Sequence, residues 1–270
     1  MDTGKTTGRH LITHVHSPPS TVHRQEILRS KISTWQILLT EEETAVAQMA
    51  LDEELAKATR PTLRLFRWVR PALSLGFKQR APEWCDPVML TAHDIELVER
   101  PTGGGLAVHG SDLCCSVVAP GHPHLWLKQV MATVCETLAR ALRSLGAAVN
   151  VVGETDAAKA VTCCLTDPSP YAFMVGQRKL GGFAIRRYPK TWLIQGSLLV
   201  RSLPVVFARV MPTDVRAAFE TRAIPLEEAA DRAVRDEELI AALVRAWRVT
   251  WDIPYFWTSR KWPLIHRHAM

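Results

Sequence analysis

The sequence predicts an α+β protein, a mixed sheet layered with helices. Three observations predict it. Apolar residues recur with the helical period in two long segments, 124–145 and 237–251. Shorter apolar or alternating runs of strand length lie between them, punctuated by Gly and Pro. Several of these runs adjoin with no helix between, which favours a layered sheet over a doubly wound one. At 270 residues the chain can bury a substantial core. The division expected is a disordered tail over 1–30, a main domain over 31–215, and a helical extension over 216–270 packed on that domain.

Taken in order, residues 1–30 lack periodicity and hold four histidines, His10, His14, His16 and His23, as a polar tail would. The GKTTG near the start lacks the leading glycine and strand of a phosphate-binding loop. Thr40 with Glu43 forms a capping box ahead of a helix that places Val46, Met49, Ala50 and Leu55 on one side. Strands follow at 63–68, 73–77 and 94–98, and Asp112 to Val118 reads as another. The segment from His124 to Leu145 is the clearest helix, closed by Gly146 as C-cap. His122 and His124 flank Pro123 ahead of it and read as capping or solvent-facing groups. Strands return at 148–152, 171–176, 178–185 and 192–200. From Leu203 the chain is helical, with Pro212 and Pro225 at helix starts or breaks, and Glu237 to Trp251 forms the last amphipathic helix.

Hydrophobic residues make up 47% and charged residues 22%, as in ordinary globular chains. No apolar run approaches the ~20 residues a bilayer span requires, and the N-terminus lacks the apolar core of a secretory signal. No membrane association is expected. Six cysteines, including the pairs Cys114–Cys115 and Cys163–Cys164, show no CxxC spacing and read as free thiols of a reducing compartment, so a cytoplasmic location is expected. The net charge of +6 suits an anionic partner. Lys and Arg are scattered without aromatic interleaving, so an acidic protein fits and nucleic acid is not expected.

The chemistry concentrates in two segments. In the first, Arg100 precedes Thr102, Gly103, Gly104 and Gly105, and His109 follows on the outgoing strand. Three missing Cβ atoms let backbone N–H groups approach a ligand carbonyl or phosphate. The second runs from Cys163 to Val200. Cys163 and Cys164 stand before a Pro-rich turn, where nucleophiles are often displayed, though a free cysteine is also a common buried apolar residue. Lys179 lies beside Gly181 and Gly182, which leave room for a ligand next to its ammonium. A thiol and an amine on separate segments of an apparent β-hairpin could face one pocket, and a cation favours S⁻ over SH. Cys114 and Cys115 sit within a strand and read as core.

On these residues the chain resembles the biotin and lipoate protein ligases and octanoyltransferases. Four segments carry the resemblance: Met49-Ala-Leu-Asp-Glu-Glu-Leu55, Arg67-Trp68 to Gly76, Arg100-Pro-Thr-Gly-Gly-Gly-Leu-Ala-Val-His109, and Lys179 to Leu198. Cys164, standing four residues before Pro-Ser-x-Tyr and fifteen before Lys179, is similar to the cysteine-containing octanoyltransferase branch typical of Gram-positive bacteria.

The resemblance implies a ligase-like catalytic domain over 31–215, with Cys164 as nucleophile and Lys179 as its catalytic partner. It places Arg100, Thr102, Gly103, Gly104, Gly105, His109, Gly181 and Gly182 around the substrate. Octanoyl would pass from acyl carrier protein to Cys164, then to a lysine of a lipoyl domain or a glycine-cleavage H protein. Backbone N–H groups and Lys179 would hold the oxyanion, and strands 63–68 and 73–77 would form the acyl slot. No metal or cofactor is implied for this route. ATP and Mg²⁺ enter only in the alternative, an ATP-dependent lipoate or biotin ligase. A third reading is a non-catalytic carrier-binding protein. Its support is a set of departures from the family pattern, at Gly110 (commonly Asp), Phe183 and Ile185 (commonly polar) and Gln195 (commonly His).

Overall fold

The computed structural model describes residues 35–121, 127–153 and 163–253. In chain order the first half gives β1 (Gln36–Leu39), α1 (Ala45–Ala58), β2 (Thr62–Phe66), β3 (Ala72–Leu75), α2 (Pro87–Ala92) and β4 (Glu96–Glu99). Then come β5 (Ala107–His109), β6 (Asp112–Pro120), α3 (Leu127–Ser144), β7 (Asn150–Val151) and β8 (Phe173–Val175). The chain continues through β9 (Arg178–Arg187), β10 (Thr191–Leu199), a 3₁₀ turn (Val205–Arg209), α4 (Thr213–Arg222), α5 (Leu226–Ala229) and α6 (Asp236–Trp251). The tail over 1–30, His122, His124 and the residues after 253 fall outside the described residues.

Seven strands form one sheet in the order β1-β2-β6-β10-β9-β8-β7, with β1 and β2 parallel and the remaining pairs antiparallel. A second sheet has the order β4-β3-β5. This is the mixed α+β arrangement the sequence predicts. Alternation along β6 sends Leu113, Cys115, Val117 and Ala119 into the main core, against Val134 and Leu138 of α3 and Leu243 and Trp247 of α6. The other face of β6 carries Cys114, Ser116 and Val118. Phe66, Trp68, Met49 and Cys114 form a small apolar cluster of their own. Leu73 and Leu75 of β3 pack with Leu106, Leu165 and Phe207 in another.

Several boundaries differ from the sequence expectation. The cap of α1 is Thr44, whose hydroxyl accepts from Ala47 N at 3.3 Å, and not the Thr40–Glu43 box. Glu43 is still extended, bridged to Trp68, and the Thr40 hydroxyl accepts instead from Arg64 Nε at 3.0 Å. The strands predicted at 63–68 and 73–77 stop at Phe66 and Leu75, the second because a turn closes from Gln79 N to Gly76 O at 2.8 Å. Two elements were not predicted. β1 is only four residues, QILL. α2 is short but announced by Asp86, whose carboxylate accepts from Val88 N at 2.9 Å ahead of Pro87. Pro212 and Pro225 both occupy helix N-caps.

A charged network ties α1 to the sheet. Arg64 on β2 is fully buried and meets Asp52 of α1 at 2.6 Å, the Gln48 carbonyl at 3.1 Å and the Gln48 amide oxygen. Asp52 also accepts from Ser116 Oγ at 2.5 Å and Gln195 Nε2 at 2.6 Å. Removing one partner leaves a buried charge without compensation, which costs far more than the pair contributes. Asp52→Ala should therefore lose about 3–5 kcal/mol of stability, read as a lower denaturant midpoint. Combining it with Arg64→Met should recover most of that loss.

Candidate active site

The glycine loop is shaped by what presses on it. Arg100 leaves the end of β4, and its guanidinium reaches back under the loop. Nη1 donates to Ser74 O at 2.8 Å, and Nη2 donates to Gly103 O at 2.7 Å and Gly105 O at 2.6 Å. Gly104 has φ +91°, a conformation that disfavours a side chain. A Cβ on Gly76, just past β3, would lie 2.0 Å from Gly104 O. The loop is thus laid directly on the end of β3, where Phe77 N donates to Thr102 O at 2.8 Å.

Cys164 approaches this loop from the other side. Its N–H donates to Leu106 O at 2.8 Å, and Leu106 and Cys163 form a β-bridge. The Cys164 thiol donates to Gly105 O at 3.1 Å and lies 3.6 Å from Arg100 Nη2. Cys163 instead packs with the apolar cluster around Leu73 and Phe207, and burial pushes its thiol pKa up. Cys164 therefore sits on a loop ahead of β8, bridged to the glycine segment, while Lys179 lies on β9. The hairpin β8–β9 holds only the amine.

Lys179 is 3% exposed, with Nζ donating to Asp167 O at 3.0 Å and Ser169 Oγ at 2.7 Å. Burial lowers its pKa, opposed by the charges of Cys164, Cys163 and Asp167. The two neighbouring glycines serve different ends. A Cβ on Gly182 would come within 3.1 Å of Lys179 Cε, whereas on Gly181 it would lie 2.5 Å from Ser197 O on β10. Gly182 leaves space at the amine; Gly181 permits the strand pairing.

Cys164, Lys179, Arg100, Gly103, Gly104, Gly182 and His109 all line one cavity of about 300 Å³. Register makes its floor. Phe66, Cys114, Ser197 and Gly182 lie opposite one another across β2, β6, β10 and β9. That row crosses three strand spacings, roughly 14 Å. Met49, Phe66, Trp68 and Cys114 make it apolar at the β2 end. The slot therefore runs across β9, β10, β6 and β2. It is not built by the strands predicted at 63–68 and 73–77 together: Phe66 and Trp68 line it, but of the second only Ser74 does.

Thr102 and His109 are engaged by protein groups. The Thr102 hydroxyl donates to Gln195 Oε1 at 2.6 Å. His109 stacks on Trp68 at 4.2 Å, with Nδ1 at 2.7 Å from Asp112 Oδ2 and Nε2 at 2.8 Å from Ser74 Oγ. Asp112 also accepts from Ser197 Oγ at 2.7 Å, Cys114 Sγ at 3.1 Å and Gly110 N at 3.0 Å. The potential ligand atoms of His109, Asp112 and Cys114 lie within 4.8 Å of one another, close enough for a metal ion. They already hydrogen-bond among themselves, and burial, then the Asp112 charge, pushes the Cys114 thiol well up. Sequence reasoning missed Ser74, Asp112 and Ser169. Ser74 and Ser169 are brought to their partners by the fold, whereas Asp112 stands only three residues after His109 and was readable from that spacing.

Comparison with known proteins places this geometry. The pattern of the lipoyl protein ligase A/B catalytic domain matches residues 44–248. The octanoyltransferase LipM of Kyrpidia tusciae is 32% identical over 234 residues, 78% of this chain and 85% of that protein. The octanoyltransferase LipM of Exiguobacterium sibiricum is 30% identical, over 88% and 95%. The chain belongs to the lipoyl protein ligase A/B family. Its fold is also that of a bipartite lipoate protein ligase from Thermoplasma acidophilum, at TM-score 0.65 and 22% identity over 84% of this chain and 87% of that one.

Within this ligase family, the departures at four positions have local explanations. Gly110 has φ +129°, and a Cβ there would lie 2.9 Å from Pro204; the carboxylate Asp112, two residues on, reaches back to its N–H. Phe183 and Ile185 alternate away from Gly182 and Ala184 to pack on the main core, and the Phe183 ring stands edge-on to Phe173 at 5.2 Å, although both residues also border the cavity. Gln195 bridges Thr102 to Asp52 with its oxygen and nitrogen, a pairing that uses both ends of an amide. None of the four leaves a buried polar atom without a partner.

Asp112 carries a testable pH dependence. Burial would raise its pKa, but His109, the Ser197 hydroxyl and Gly110 N together hold it well below the usual carboxylate range. A depressed folded pKa contributes stability above the unfolded value of ~3.9, and that stability is lost as pH falls below it. The Tm of the wild-type protein should therefore drop more steeply between about pH 4.5 and 2.5 than that of Asp112→Asn, measured by thermal melts across that window.

Proposed function

We propose that this chain carries octanoyl groups in lipoate biosynthesis through a thioester on Cys164. Its membership of the family and its likeness to octanoyltransferases support the reaction class. One observation supports the residue: of two adjacent cysteines, Cys164 faces the cavity between Arg100 and Lys179, while Cys163 packs into apolar core.

The chemistry follows in two balanced halves. Burial favours the neutral amine of Lys179, whose two N–H donors go to Asp167 O and Ser169 Oγ, leaving the lone pair to take the thiol proton. The thiolate attacks the carbonyl of octanoyl acyl carrier protein, the donor's C–S bond breaks, and the leaving sulfur takes the proton back from Lys179. The tail lies across the sheet toward Met49, Phe66 and Trp68. In the second half a lysine amine of a lipoyl domain or a glycine-cleavage H protein attacks the Cys164 thioester. An amide forms, and Cys164 leaves with the amine's proton returned through Lys179. Both N–H groups of Arg100 Nη2 are spent on Gly103 O and Gly105 O, so its guanidinium acts on the developing oxyanion through its charge, 3.6 Å from the Cys164 sulfur. The Cys164 N–H is already committed to Leu106 O and takes no part. No ATP or Mg²⁺ is consumed.

Incubation with octanoyl acyl carrier protein should add one octanoyl mass to the Cys164 peptide, seen by mass spectrometry, without ATP. Cys164→Ala should lose transfer to an acceptor domain by about a thousandfold or more while remaining folded, and Cys163→Ala should keep the adduct. Transfer from octanoate that requires ATP and survives Cys164→Ala would replace this route with a ligase. Stable carrier binding with no turnover from either donor would leave only a binding protein.

A further inference from the structure

A thioester donor bound at Cys164 has two arms, and the acyl slot accounts for only one. The other must leave along a second path. Along β9 the residues facing the glycine loop are Gly182, Ala184 and Arg186, by strand alternation. Gly182 borders the Lys179 amine, and Ala184 Cβ lies 3.8 Å from where a Cβ on Gly104 would stand, itself 3.8 Å from Cys164 Sγ. Gly182 and Ala184, the two small residues of this row, line the cavity, and Arg186 stands on the same face roughly 13 Å along the strand from Gly182, perpendicular to the acyl slot. Gly103, on the loop above this row, has open space where a Cβ would be.

The row ends on an unusual lip. Phe77 is 42% exposed, and two cations cover its ring: Arg186 at 4.3 Å and Lys78 Nζ at 5.3 Å. Arg186 Nη1 donates to Pro101 O at 2.9 Å, which pins the guanidinium to the base of the glycine loop. Among the described residues neither side chain has a carboxylate in ion-pair contact; Glu99 at the lip accepts from Lys78 N, not from its ammonium. Two uncompensated cations with an apolar platform between them match an anionic group on a partly apolar tether. Resting on the thioester reading above, we propose that Arg186 and Lys78, with Phe77, bind the phosphate of a phosphopantetheine-type donor arm, whose thiol end reaches Cys164 past Gly182 and Ala184. Tail and arm then leave the reacting carbonyl at right angles, and the lip selects donors that carry the acyl group on a phosphorylated arm.

Two small thioesters separate phosphate recognition from recognition of the carrier protein. Octanoyl-phosphopantetheine and octanoyl-pantetheine differ only in the phosphate, and acylation of Cys164 by each is followed by mass at equal sub-saturating concentration. The wild-type rate ratio should be about tenfold in favour of the phosphorylated donor, the effect of one charge-assisted hydrogen bond. Arg186→Ala should bring the ratio close to one. Lys78→Ala, which leaves the Pro101 contact intact, should lower it by a factor of two to three. A ratio near one in the wild type, or a ratio unchanged in both variants, overturns the proposal. If neither thioester acylates Cys164 and octanoyl acyl carrier protein does not either, the transferase reading fails. The lip is then judged by calorimetry of phosphopantetheine with Cys164→Ala: binding that Arg186→Ala abolishes supports it, and no binding overturns it.

Discussion

The site depends on where a single guanidinium puts its donors. Arg100 lies beneath a loop of three glycines, and its two terminal nitrogens bond carbonyls of that loop and of β3 while presenting one edge to the Cys164 sulfur. A loop with so few side chains has little packing of its own, so its shape must be imposed by hydrogen bonds from outside. The planar fork of arginine satisfies several carbonyls at once, which a lysine's single ammonium could not do in the same plane. The cation that organises the loop is thus also one that touches the Cys164 thiol.

Around this bracket two sets of buried polar groups are hydrogen-bonded among themselves. One runs from Arg64 through Asp52 and Gln195 to Thr102; the other joins Asp112 to His109, Ser197, Cys114 and Gly110. Ser74 touches both His109 and Arg100 and so links the second set to the loop. Buried polar atoms left without partners would be costly beside an apolar cavity. Closing them into networks keeps the wall at the β2 end greasy where an acyl tail would lie, and reserves the charged groups for the end where Cys164 and Lys179 meet.

Adjacent cysteines show how little separates core from chemistry. Cys163 and Cys164 differ by one position on a chain bridged to Leu106, and that single step turns one thiol into the Leu73–Phe207 cluster and the other toward Gly105. The same parity operates on β6, where Cys115 joins the helix-side core and Cys114 faces the cavity, and on β9, where Phe183 and Gly182 face opposite ways. The apolar residues at 183 and 185 pack on the helix-side core and at the same time border the cavity.

The sequence by itself determined the α+β class, the long helices α3 and α6, and most strands, because apolar periodicity reports directly on which face is buried. It also determined the family, through Arg100 to His109 and Cys164 to Lys179, because a loop without Cβ atoms and a thiol at fixed distance from an amine leave a local pattern. Only the tertiary structure decided which cation stands beside Cys164, that Ser169 holds Lys179, and that the cavity crosses β2, β6, β10 and β9. Such contacts join residues far apart in the chain, 64 positions in the case of Arg100 and Cys164. They arise from strand register and loop crossing, and neither is written in the spacing of residues along the chain.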